Sequence, residues 1–398
     1  MLKDVMEKEK KSWCEIMSKP KFVIKSKFQK GGTYKELLTP CVLADVCKRI
    51  TGKDKYDVKW DDDGYNKGRM ARLEYGRRTY YISFSEIANE GRNSFFQSVP
   101  SALNQCILTE GKNARPYYYF LPIDGTYRSA YYRFMFRLLN TTGIQFLNQE
   151  AFFDEPIIPF SSIEDLVRAR EDNRGKNRGN KSTYITVGHD GAVQIFAKVY
   201  GANKYESELF ALASEKLTKS KIELFEIKEG DLTELPLSSK EVLEKVCGKQ
   251  LTMTVGDMTL EGKAFESGDS LRSPRYVYNL LERLGPKKCA LCACDIPELI
   301  QGAHIWGISQ IKHTPGLSQV KKIDHAINGH NGLWLCENHH KMFDRDVIRI
   351  RPNGAIQVRS RLTTFQKEFI QNITPEMRVP ADMMTAQLVK YLARRYAA

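Results

Sequence analysis

Over the first 150 residues, apolar and polar side chains alternate in short bursts and then change to helical spacing. The stretches "YDVKW" (56–60), "RLEYG" (72–76) and "TYYISF" (79–84) place apolar residues at every second position, which predicts half-buried strands. "SAYYRFMFRLLNTTG" (129–143) has helical spacing and stops at Gly143 after polar residues. Its aromatic stripe is read as core. Residues 1–160 are therefore expected to form an N-terminal mixed α/β domain with a DNA-recognition role. "VRAREDNRGKNRGNKS" (167–182) then loses the apolar period and reads as a flexible loop. Arg168, Arg170, Arg174, Lys176, Arg178 and Lys181 outnumber Glu171 and Asp172 there. Two readings stay open: a segment that orders on a phosphate backbone, or a solvated linker.

Periodicity returns with "AVQIFAKVYG" (192–201), a strand, and "KYESELFALASEKLTK" (204–219), a helix. Residues 161–270 thus read as a second α/β recognition or scaffold segment. Asp190 with Lys198 hints at a separate hydrolytic site, but Phe196 stands where its second acid would be. "SPRYVYNLLERLG" (273–285) predicts a helix ending at Gly285, and "VIRIRPNGAIQV" (347–358) two strands around a Pro-Asn-Gly turn. The closing "ADMMTAQLVKYLARRYA" is an amphipathic helix within a C-terminal helical segment, 361–398. The expected class is an α+β multidomain chain.

Composition narrows the setting. No apolar run approaches the roughly 18 residues of a membrane span. The N-terminal "MLKDVMEKEKKSW" lacks the apolar stretch of a secretory signal, so a soluble cytoplasmic protein is expected. Nine cysteines without an export signal argue against a disulfide framework. The net charge of +13 favours a polyanionic partner. The GxxxxGK[ST] phosphate loop is missing, which argues against an ATP-driven machine.

The chemistry is concentrated between Cys289 and Asp344. Cys289-x2-Cys292 and Cys336-x2-His339 are two half-sites of equal spacing, matching a structural zinc tetrahedron of three thiolates and one imidazole. Cys294 competes with Cys292 for one corner. If "ENHHKMFDRD" is helical, His340 and Asp344 project from one face, one turn apart. His339 is rotated about 100° from His340, so adjacent histidines can serve two different metals. Upstream, "QGAHIWG" carries His304 after an apolar run, and Asn331 precedes "GLWLC".

Cys-x2-Cys, Ala-His-Ile, Asn-Gly-Leu, Leu-Cys-x2-His-His and Phe-Asp, in that order, resemble the HNH (ββα-metal) nucleases over about residues 286–350. The resemblance implies a zinc-stapled nuclease domain, here 271–360. It implies His304 as the general base that deprotonates a water, and Asn331 holding the His304 imidazole or its hairpin. It implies one divalent cation, Mg2+ or Mn2+, on His340 and Asp344. Two features depart from the pattern. Ala303 stands where a further ligand is often found, and "GISQIKHTPGLSQVKKIDHAINGH" (307–330) is inserted between the hairpin strands. The insertion brings a competing Asp324–His325 pair, close to Asn331, and three lysines, Lys312, Lys321 and Lys322, that could meet phosphates. His313 and His330 are expected to have no ligand role.

The whole resembles the HNH-class type II restriction endonucleases: self-contained, ATP-independent and away from membranes, acting on double-stranded DNA as a homodimer. A modification-dependent restriction enzyme and a ligand-activated, nonspecific phage-defence nuclease are the alternatives. A zinc-stapled DNA-binding protein without catalysis is disfavoured, because His304, Asn331, His340 and Asp344 are all present.

Overall fold

The computed structural model describes residues 19–25, 34–61, 70–84, 87–111, 116–121, 130–174, 183–199, 203–228, 234–267 and 273–397. The chain divides into two compact units that interleave in sequence. One comprises Met1–Leu166, Tyr200–Lys219 and Leu235–Lys249; the other comprises Val167–Val199, Ser220–Glu234 and Gln250–Ala398. Among the described residues, no helix is long and apolar enough to cross a membrane.

The first unit is built on a six-stranded mixed sheet of β1 (Lys21–Lys25), β2 (Asp57–Asp61), β3 (Met70–Tyr75), β4 (Arg78–Phe84), β5 (Tyr117–Tyr119) and β6 (Gln145–Phe146), in the order β2-β1-β3-β4-β5-β6. The three alternating stretches of the sequence are β2, β3 and β4. Parallel pairing of β1 with β2 requires a crossover, supplied by α1 (Pro40–Thr51). That helix starts on a Thr39 cap with proline in its first turn and stops at Gly52, whose φ of 71° suits glycine. Two more helices follow, α2 (Ile87–Glu110) and α3 (Ala130–Thr141). The aromatic stripe of α3 is core, as its spacing predicts: Tyr131, Tyr132, Phe134 and Phe136 are all buried.

The expected loop at 167–182 is helical in its first half. Helix α4 (Ile163–Arg174) runs to Arg174, because Ile163, Leu166 and Arg170 share one face and all three are buried. Arg170 is fully buried, and its Nε and Nη2 donate to the Thr183 carbonyl at 3.3 and 2.8 Å. This removes Arg170 from the DNA-contacting set: a guanidinium spent on an internal carbonyl is closed to solvent and phosphate. Arg168 is exposed on the same helix. Arg174 is the last residue of α4, and Lys176, Arg178 and Lys181 lie outside the described residues.

The second unit holds a four-stranded sheet, β10-β9-β8-β7, made of β7 (Thr183–Val187), β8 (Val193–Ala197), β9 (Ile222–Ile227) and β10 (Leu251–Gly256). Along the chain, α5 (Asn203–Leu217) joins β8 to β9 and α6 (Leu237–Cys247) joins β9 to β10, both helices being counted in the first unit; both strand pairs are parallel. Next come α7 (Met258–Ser267) and α8 (Pro274–Leu284). Helix α8 is capped by Ser273 and stops at Gly285. One continuous core runs from Tyr184 and Phe196 on this sheet, through Tyr276 and Tyr278 on α8, to Ile305, Trp334 and Phe343 beyond it. The sheet and the cysteine- and histidine-rich region are thus one folding body.

That region is a hairpin and a helix. Strands β11 (Ile300–His304) and β12 (Gly332–Cys336) pair antiparallel, with His304 opposite Gly332 and Ile300 opposite Cys336. The inserted segment between them folds as α9 (Ile308–His313) and α10 (Gln319–Ile327). Chain direction then turns at Cys336 into α11 (Glu337–Asp344). A second hairpin, β13 (Ile348–Ile350) and β14 (Ile356–Val358), precedes α12 (Thr364–Ile373) and α13 (Ala386–Tyr396). Every residue of β12 is buried, which explains its unbroken apolar run.

Candidate active site and zinc cluster

The four predicted zinc ligands converge. The ligand atoms of Cys289, Cys292, Cys336 and His339 all lie within 4.8 Å of one another, and Cys294 is outside the group. Cys294 instead accepts the Cys289 amide through its carbonyl, tightening the knuckle. The Cys292 and Cys336 sulfurs are 3.8 Å apart, and the Cys289 sulfur is 3.5 Å from His339 Nδ1. A zinc tetrahedron with the usual bond lengths has edges of about 3.7 Å between sulfurs and about 3.5 Å from sulfur to nitrogen. The donor set and its spacing therefore fit a structural zinc.

Electrostatics points the same way. The Cys336 thiol donates toward the Cys289 sulfur and pulls Cys289 well below the ordinary thiol value, while Cys336 is pushed up. Burial pushes Cys292 up as well. Three sulfurs at this separation cannot all ionise without a cation among them, and a bound dication removes that conflict. His339 Nε2 sits 3.0 Å from the buried hydroxyl of Thr374, just beyond α12. With Nδ1 facing the sulfurs, Nε2 carries the proton and donates to Thr374. That contact locks the ring orientation, and no local spacing in the sequence announced it.

The second cluster lies on the other side of α11. His340 and Asp344, one turn apart, bring Nε2 and Oδ2 to 3.3 Å. Two donors sharing a small hard cation are about 3 Å apart at ordinary bond lengths, so this mixed N/O pair fits a divalent ion that keeps water and substrate in its remaining positions. His304 lines the same cavity of about 630 Å3 as His340 and Asp344. The adjacent histidines of α11 thus divide as the helical rotation predicts, His339 into the thiolate cluster and His340 into the cavity. The competing His325 takes no part in the cavity lining. Its Nδ1 meets the Tyr391 hydroxyl at 3.0 Å, and its Nε2 faces Arg394 at 3.1 Å.

His304 ends β11 in a tight cage. Its ring stacks on Tyr276 at 4.0 Å between centroids and 12° between planes. Its Nε2 lies 2.9 Å from the Ala326 carbonyl. A carbonyl only accepts, so Nε2 holds the proton and Nδ1 keeps a lone pair. Burial, with a smaller push from His340, lowers the imidazole to about 4, partly offset by the Ala326 bond. The ring is therefore neutral at physiological pH, a proton acceptor held in one tautomer.

Asn331 does not touch that ring. Fully buried, it accepts the Trp306 amide at 2.7 Å and donates to the Trp306 and His325 carbonyls at 3.1 and 3.0 Å. Its contacts are thus with the backbone that follows β11 and with the insertion. By fixing His325 it also places the neighbouring Ala326 carbonyl that holds His304. The insertion therefore supplies the group that orients the imidazole, which sequence reasoning missed because a backbone carbonyl leaves no mark on residue identity.

Helix α8 brings Tyr276 into place by lying close on the hairpin. A Cβ at Gly332 would come 2.1 Å from the Tyr276 hydroxyl, and one at Gly302 would come 2.5 Å from Leu280 Cδ1. Only glycines allow this approach. In the insertion, Lys321 is exposed. Lys322 donates to the Lys312 carbonyl, and Lys312 lies 5.3 Å over the Phe265 ring. His313 and His330 bond to Ser309 and Thr385. As for the hinted second site, Asp190 accepts the Ala192 amide at 3.3 Å within the β7–β8 turn, while Lys198 lies 5.1 Å over the Tyr278 ring.

The family model described as HNH endonuclease matches residues 289–351. The chain carries an HNH endonuclease domain. The match spans the hairpin, its insertion, α11 and β13, and brings with it phosphodiester hydrolysis supported by a divalent cation. No curated protein matches the chain. Tyr276 and Thr374, which set the two histidines of this HNH domain, lie outside the matched segment.

Proposed function

We propose that the protein is a metal-dependent DNA endonuclease in which His304 is the base and His340 and Asp344 hold the catalytic cation. The observation that carries this reading is the state of His304: neutral, with Nε2 committed to Ala326, in one cavity with the His340–Asp344 pair. His304 Nδ1 takes a proton from water, the oxygen attacks the scissile phosphorus, and the 3′ oxygen leaves. A phosphate in the cavity raises the basicity of the half-buried imidazole at the moment it is needed. The cation, when bound, stabilises the negative charge on the phosphoryl oxygens and the leaving oxygen. Asn331 acts at one remove, through the hairpin and the Ala326 carbonyl.

Within this class we favour a type II restriction endonuclease, cutting double-stranded DNA at a specific site as a homodimer, with residues outside the HNH domain choosing the site. The support is the absence from the sequence of the phosphate loop of an ATP-driven enzyme, and the net charge of +13. The test is to incubate the protein and Mg2+ with modified and unmodified genomic DNA and to sequence the ends. Discrete ends on unmodified DNA support the reading. Ends confined to modified DNA point to a modification-dependent enzyme, and random ends to a nonspecific nuclease.

A further inference from the structure

Arg395 on α13 lies outside the matched HNH segment, yet its guanidinium reaches both halves of the candidate active site. Its Nη1 donates to the Ile305 carbonyl at 3.1 Å and approaches the His304 carbonyl at 3.5 Å. Its Nη2 donates to the Phe343 carbonyl at 2.9 Å. The same group lies 3.9 Å over the buried Phe343 ring. Ile305 follows the proposed base in sequence, and Phe343 precedes Asp344.

From these contacts we propose that Arg395 is a positioning residue, a clamp that holds the end of β11 against the end of α11 and so sets the distance between His304 and the His340–Asp344 pair. The inference rests on the roles proposed above for those three residues. Three physical points support it. A planar fork of donors serves two carbonyl groups on different elements at once, which a lysine ammonium does less well. Phe343 lies in the last turn of α11, where the helix dipole favours a cation, and its carbonyl accepts from Arg395 in addition to the Asp346 amide at 3.1 Å. Finally, α13 is itself fastened from both sides of the clamp: Gln310 in the insertion donates to the Arg395 carbonyl at 3.1 Å, and the Tyr396 hydroxyl accepts the Ile350 amide at 3.2 Å. The clamp is thus anchored to the scaffold whose two parts it joins.

The test compares Arg395→Ala, Arg395→Lys and Lys390→Ala, the last removing an exposed cation of α13 that is no part of the clamp. Supercoiled plasmid with Mg2+ is the substrate, and zinc content is measured alongside. Loss of alignment predicts a fall in kcat of about 10- to 100-fold in Arg395→Ala with KM nearly unchanged and zinc retained. Methylguanidinium should restore part of the rate, and Lys390→Ala should keep the wild-type kcat. If Arg395→Ala loses its zinc, Arg395→Lys carries the comparison, with a smaller fall in kcat expected. Wild-type kcat in a folded Arg395 variant overturns the clamp. So does a raised KM with a shallower salt dependence, which would mark Arg395 as a phosphate contact. A second readout does not need cleavage: the imidazole NMR signature of His304. It should show a single Nε2–H tautomer in the wild type and a mixture in Arg395→Ala. An unchanged signature contradicts the clamp even if the wild-type protein cuts no DNA, whereas failure of the wild type to cut contradicts the proposed activity alone.

Discussion

The half-buried, neutral His304 makes acid stability a sensitive probe of the site. In the folded protein, burial lowers its imidazole from 6.5 to about 4. The unfolded chain titrates near the ordinary value. As pH falls through 6.5 the unfolded state gains a proton that the folded state refuses, so stability is lost progressively down to about pH 4, below which both states are protonated. One pH unit corresponds to about 1.4 kcal/mol, so the full loss from this residue is about 3.5 kcal/mol, of which about 3 is reached by pH 4. The perturbation is His304→Gln, which cannot titrate. Other acid-sensitive groups, the thiolate cluster above all, act in both proteins and cancel in the comparison. Urea unfolding of both proteins should be measured at several pH values between 7.5 and 4. Relative to the variant, the wild type should lose about 3 kcal/mol over that interval, with most of the change below pH 6.5. A difference that stays constant across this range would refute the half-buried, neutral state assigned to the imidazole. A small loss, complete by pH 6, would mean that the fold lowers the imidazole only slightly.

The zinc cluster predicts about one tightly held zinc per chain by elemental analysis, and Thr374→Val, which frees His339 Nε2, should weaken the hold by about 10- to 100-fold in a chelator competition; an unaltered titration would separate Thr374 from the site. Gly332→Ala forces a methyl against Tyr276 and Leu280, so it should cost about 1–3 kcal/mol in stability and lower the cleavage rate through the displaced Tyr276–His304 stack. A fully stable and active Gly332→Ala would contradict the close approach of α8. Asp344→Ala should raise the divalent cation concentration needed for half-maximal cleavage, and an unchanged metal titration would remove Asp344 from the cation.

The parts of the site that the sequence announced are those whose chemistry is carried by side-chain identity at short range. Cys289-x2-Cys292 and Cys336-x2-His339 give two half-sites in a few residues, and the helical rotation between His339 and His340 follows from geometry alone. The unbroken apolar run of β12, the alternation in β2 to β4 and the aromatic stripe of α3 were legible for the same reason. Other features depend on what the chain does far away. The Ala326 carbonyl could be any residue's, Tyr276 reaches His304 only because Gly302 and Gly332 let α8 descend, and Arg395 bonds to backbone across 52 to 91 positions of sequence. Helix α4 was hidden because one position on its buried face is an arginine, and the hydrophobic pattern counts Arg170 as surface. The shared core of β7–β10 with the HNH domain was likewise invisible, since long-range packing leaves no period in either segment.

Most directly at issue is whether His304 takes the proton in a cation-dependent cut of DNA. Single-turnover cleavage of double-stranded DNA by wild type and His304→Ala, each with and without Mg2+, decides it, with DNA binding followed in parallel. Cleavage by the wild type is expected only with the cation, and His304→Ala is expected to lose cleavage but not DNA binding. Cleavage at a comparable rate by His304→Ala, or by the wild type after removal of divalent cations, would contradict that expectation.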